Sequence, residues 1–110
     1  VRRYGYIEKS AVNSNMVIAG ETVLSEKTML NPDRLITYAV YEKEFDGSLL
    51  IKELVDPEKQ VRLELWAYDP KQFAQNGMAD AASVALSFEN STDERIEEAV
   101  EEMLRKEWER

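Results

Sequence analysis

Leu35-Ile36-Thr37-Tyr38-Ala39-Val40-Tyr41 is the stretch on which the fold reading turns. β-branched and aromatic residues crowd it, and these fit a pleated backbone better than a helix. Apolar side chains fall at both odd and even positions, so the stretch predicts a strand covered on both faces, central in a sheet. Working outward, Asn31-Pro32-Asp33 precedes it, and a residue before proline is pushed out of helical geometry. That stops a helix predicted from Gly20 to about Met29. Before the helix, Met16-Val17-Ile18-Ala19 reads as a short buried strand and Asn13-Ser14-Asn15 as a turn. Residues 1–12, with Tyr4, Tyr6 and Ile7, read either as a short strand or as a lead-in from an upstream domain.

Downstream, Glu42 to Gly47 reads as a helical turn ended by glycine. Leu49 to Val55 and Val61 to Tyr68 flank Asp56-Pro57-Glu58-Lys59-Gln60, which predicts an antiparallel hairpin with a five-residue loop. In its second strand Val61, Leu63, Leu65 and Ala67 share one face, and Arg62, Glu64, Trp66 and Tyr68 the other. The charges at 62 and 64 suggest a partly solvated face, on which Trp66 and Tyr68 need cover from another element or a partner. Asp69-Pro70 opens a turn around Phe73 and Asn76-Gly77 closes it. Asp80 is placed to cap a helix from Ala81 to Phe88.

The last segment predicts an amphipathic helix running to residue 110. Ser91 and Glu94 form a capping box. Ile96, Ala99, Val100, Met103, Leu104 and Trp108 make one apolar stripe. Asp93, Glu94, Glu97 and Glu98 come early and Arg105 and Lys106 late, as the helix dipole favours. Strands and helices mix without strict β-α-β alternation. The expected fold is therefore α+β: a mixed, mostly antiparallel sheet with helices packed on it, one of them the long C-terminal amphipathic helix. Residues 1–110 read as one domain, and the opening Val1-Arg2-Arg3-Tyr4 as a cut inside a longer protein, of which this is the C-terminal fragment.

Composition narrows the chemistry. The chain has no Cys and no His, which excludes thiolate and imidazole metal sites, disulfides and the Ser-His-Asp and Cys-His nucleophile systems. With 14 Lys and Arg against 22 Asp and Glu, the net charge is −8, opposed to direct nucleic-acid contact. Arg2-Arg3 is the one small basic spot. No apolar run approaches the ~18 residues of a membrane helix. With no signal peptide either, a cytoplasmic protein without membrane association is expected.

Carboxylate chemistry stays open. Lys52-Glu53 and Glu64, on facing strands of the expected hairpin, approximate a Mg²⁺-dependent nuclease-like site, although acids and lysines alternate in any solvated strand. Gly20-Glu21-Thr22 at a helix start is read as a tight entry rather than an anion site, because Glu21 itself repels phosphate. No cofactor and no metal ligand set is expected.

Three stretches together resemble a known family. They are Ala19-Gly20-Glu21-Thr22-Val23-Leu24-Ser25 with Thr28-Met29-Leu30-Asn31-Pro32 and Thr37-Tyr38-Ala39-Val40; Leu63-Glu64-Leu65-Trp66 with Tyr68-Asp69-Pro70; and Ala79 to Phe88 with Asp93-Glu94-Arg95-Ile96-Glu97 and Ala99. Over roughly residues 16–108 the chain is similar to the C-terminal region of bacterial proteins that begin with a MarR-type or AbiEi-like winged helix, known as transcriptional regulators or abortive-infection antitoxins. Where that family tends to read Val-Asp-Pro-Leu-Ser-Leu, this chain has Ala81 and Ala82 in place of Pro and Leu, while Asp80 and Ser83 keep the helix cap. The resemblance implies DNA binding in an upstream winged helix and a protein partner of the nucleotidyltransferase-toxin type. The expectation is thus a non-enzymatic regulatory or interaction domain. Its working surface is expected at Trp66 and Tyr68, or on the acidic helix at Glu97, Glu98, Glu101 and Glu102. A nuclease-like domain and a small-ligand sensor are the alternatives.

Overall fold

A computed structural model describes residues 3–109. Val1, Arg2 and Arg110, the last residue assigned above to the terminal helix, lie outside that range. The chain forms β1 (Arg3–Glu8), β2 (Val17–Ile18), α1 (Gly20–Lys27), β3 (Thr37–Tyr41), β4 (Gln60–Trp66), α2 (Ala81–Ser87) and α3 (Glu94–Trp108), with short 3₁₀ turns between them. The four strands make one sheet in the order β1-β4-β3-β2. β1 runs antiparallel to β4 and β2 antiparallel to β3, while β3 and β4 are parallel. This is the expected α+β architecture with a mixed sheet.

The alternation along β4 divides the core. Val61, Leu63 and Leu65 pack with Ile7, Met16 and Val40 on one face. Trp66 points to the other face, where it joins Val17, Ala39, Val23 and Leu24 of α1, Val84 of α2, and Ile96, Ala99 and Met103 of α3. Helices therefore cover only one face. The opposite face is closed by irregular chain, with Val12, Phe45 and Leu50 packed against it. Gly5 lets this cover approach: a Cβ there would lie 2.6 Å from Leu50 Cγ.

The hairpin expectation is overturned. Leu49 to Val55 forms no strand; Ile51 makes a single bridge to Tyr6. Gln60 explains why. Its buried side chain accepts from the N–H groups of Val55 and Asp56 at 2.7 and 2.8 Å and donates to the Glu53 carbonyl. Backbone groups that a hairpin would pair are satisfied by this one amide. β4 finds its partners in β1 and β3 instead. The solvated face expected for β4 is corrected too, since Glu64 and Trp66 are both buried.

The helix ends follow local chemistry. Asp80 caps α2 as expected, its Oδ2 accepting from Ser83 N at 3.0 Å. For α3 the cap shifts from Ser91 to Asp93, whose Oδ1 accepts from Arg95 N, while Ser91 Oγ accepts from Asp93 N. The stripe of α3 buries Ile96, Ala99 and Met103, and Trp108, the last residue of the helix, stands in solvent.

The correction has a measurable consequence. Leu63 is fully buried in the central strand and Leu49 is 61% exposed. Leu63→Ala is expected to cost about 2–5 kcal/mol and Leu49→Ala under about 1 kcal/mol. Urea unfolding midpoints check this, and comparable losses would restore the 49–55 strand.

Candidate functional site

Two places gather the residues singled out by the sequence. The first is the helix-side face of β4. Glu64 is 9% exposed, and its Oε1 accepts from the Trp66 indole N–H at 3.0 Å. The carboxylate lies against the start of α1, with Oε2 3.4 Å from where a Cβ on Gly20 would stand. Gly20 is needed twice: its φ is +57°, and the same Cβ would meet Thr37 Cγ2 at 2.9 Å. Ala19, the residue capping α1, supplies no side-chain acceptor. Two residues back along β4, the Arg62 guanidinium sits 4.3 Å from the centre of the Tyr4 ring, and its Nε is buried without a hydrogen-bond partner.

Burial pushes the Glu64 carboxyl above its ordinary pKa, and the Trp66 hydrogen bond and Arg62 only partly oppose this. Glu21, nearby in α1, is also raised, by burial first and by Asp33 second. A carboxyl that holds its proton more tightly in the fold than in the unfolded chain weakens the fold as pH rises through its folded pKa. Below the ordinary carboxylate range that penalty is gone.

Trp66 is thus covered by the protein's own helices, at 2% exposure, rather than by a partner. This removes it from the expected working surface. Tyr68 lies past the end of β4 and is 41% exposed. Its hydroxyl donates to Ser83 Oγ at 2.7 Å and its ring packs at 5.4 Å on Trp66. Glu53 sits in an exposed loop, so it does not join Glu64 as the nuclease-like pairing requires. Among the described residues no group of three or more acidic side chains is arranged to hold a metal ion.

The second place is the acidic helix. Glu97 and Glu101 are exposed one turn apart on the outer face of α3. Glu98, Glu101 and Glu102 line a groove of about 520 Å³ between α3 and residues 28–31, together with Arg95 and Arg105. Met29, at the rim, is 88% exposed. Glu102 is committed to the fold: its Oε2 accepts from Met29 N at 3.2 Å, and Lys106 reaches its other oxygen. Arg95 pairs with Asp93. Glu97, Glu98 and Glu101 are exposed, as is Glu94 at the start of the helix. The exposure of Met29 carries no sequence signal. The burial of Glu64 had one, an indole donor two residues away on the same strand face.

No protein-family model matches the chain, and neither curated proteins nor solved structures supply a match.

Glu64→Gln keeps an acceptor for Trp66 and removes the titration. It is expected to raise the melting temperature at pH 8 and to lose that advantage as pH falls toward 4. Thermal melts across pH check this, with Trp66 emission in a Trp108→Phe background as a local reporter. A gain that does not depend on pH would disprove the assignment.

Proposed function

We propose that this chain is a non-enzymatic interaction domain in which the outer face of α3 and the adjoining groove dock a protein with a basic surface. The observation that carries this reading is the meeting of an exposed apolar anchor, Met29, with the acidic edge of α3. An apolar contact ringed by charge is the usual anatomy of a docking patch, and complementary charge speeds encounter and sets orientation. The chain's net charge of −8 strengthens attraction to a basic partner. An acidic helix of this kind competes with nucleic acid or nucleotide phosphate for a basic site on the partner.

The family resemblance extends the proposal. On that reading the domain belongs to a bacterial, cytoplasmic transcriptional regulator or antitoxin-like protein. DNA contact is then made by an upstream winged helix, and the partner is a nucleotidyltransferase-type toxin. Among the described residues no helix is long and apolar enough to cross a membrane.

The test is a pull-down from the source cell at low and moderate salt, using the native chain and a Glu97→Gln, Glu98→Gln, Glu101→Gln variant. Glu102 is left in place because it holds the Met29 backbone. A specific partner should be retained by the native chain, released by salt, and bound about tenfold more weakly by the variant, since three exposed charge pairs at about 0.5 kcal/mol each sum to that factor. Met29→Ser should weaken the same partner without changing its salt dependence. Equal retention by all three chains overturns the docking surface.

A further inference from the structure

On the opposite side of the sheet from α3, a cleft of about 410 Å³ opens between the chain after β1 and the crossover segment around residues 44–51. Its size is within the range of small-molecule sites, roughly 300–1,000 Å³. Its floor is Ile7, itself buried in the second core cluster. Phe45, Leu49 and Ile51 form its apolar wall. Leu49 and Ile51 keep large apolar side chains in water there, surface that a ligand would cover with a gain of about 25 cal/mol per Å².

The polar part of the cleft has one sign. Glu8, Glu44 and Asp46 line it, and among the described residues no Lys or Arg does. Asp46 is held in its charged form: Ser48 donates to its Oδ1 from both the hydroxyl and the backbone, and its pKa lies below the ordinary value. Glu44 is partly answered by Lys71, which approaches at 3.4 Å and also reaches Asn15. The Arg3 guanidinium packs against Gly47, next to Asp46 in the chain, without lining the cleft. An apolar wall with an aromatic ring beside carboxylates fits a cation attached to an apolar body, through burial, charge and the ring face together.

We propose that this cleft binds small hydrophobic amines or quaternary ammonium compounds, with the apolar body against Phe45, Leu49 and Ile51 and the cationic head between Glu8 and Asp46. The site is independent of the α3 docking surface and stands or falls separately.

The experiment is an amide NMR titration of the full chain with benzyltrimethylammonium. Tetramethylammonium serves as the head without a body, and 3-phenylpropionate as a body with the opposite charge. Saturable shifts confined to residues 7–13 and 44–51 are expected with the first compound and not with the other two. Glu8→Gln should weaken that binding about threefold, the size of one exposed charge contact. Leu49→Ser, at an exposed position, should weaken it at least as much while leaving the remaining spectrum in place. Equal shifts with 3-phenylpropionate, shifts scattered over every acidic surface, or no saturation would each overturn the proposal.

Discussion

The strand β4 must be buried on both faces, and the rest of the molecule answers to that requirement. It sits between β1 and β3, and six of its seven residues are buried. Three helices cover the face carrying Trp66. The other face needs a second cover, and it comes from the connection between β3 and β4. Parallel neighbours require a crossover of about a dozen residues or more, usually a helix. Here residues 42–59 make that crossover with 3₁₀ turns and loop. A helix would have laid one continuous apolar stripe over the sheet. Irregular chain covers it unevenly, with Phe45 and Leu50 packed in and Leu49 and Val55 left in water. The cleft beside Phe45 follows from that unevenness.

The same strand places a carboxylate where none is cheap. Glu64 alternates onto the helix face, and its neighbour Trp66 fills the space beneath the helices. The indole donor and Arg62 soften the cost of burial but do not remove it. Among the described residues the carboxyl belongs to no cluster of three or more acidic groups arranged to hold a metal ion. Its physical consequence is a fold whose stability depends on pH through one buried group.

Much of this was legible beforehand, and the failures have a common cause. Thr37–Tyr41, Val17–Ile18, the Asp80 cap and the stripe of α3 are local patterns, decided within a few residues, and each appears in the structure. Strand pairing is not local. Leu49 to Val55 is apolar enough to read as a strand, yet Gln60 supplies the hydrogen bonds a ladder would have made. With the hairpin gone, the two faces of β4 changed meaning: charges read as solvated became a buried Glu64 and a half-buried Arg62 under Tyr4. The candidate site suffered in the same way. Trp66 belongs to the core, and Met29, with no periodicity to mark it, stands exposed beside α3.

The edges of the sheet decide how a partner can be recognised. An open edge invites pairing with an added strand. In β1, Tyr6 exchanges both backbone hydrogen bonds with Ile51, at 2.7 and 2.8 Å. In β2, Ile18 donates to the Gly77 carbonyl and accepts from Ala79 N. Each edge is therefore met by the protein's own loops at its middle, and a guest strand would first have to displace them. Recognition falls to side chains instead. On the function proposed above, those side chains are the acids of α3 beside Met29, a surface in which charge and one apolar anchor, rather than backbone pairing, would supply both affinity and selectivity.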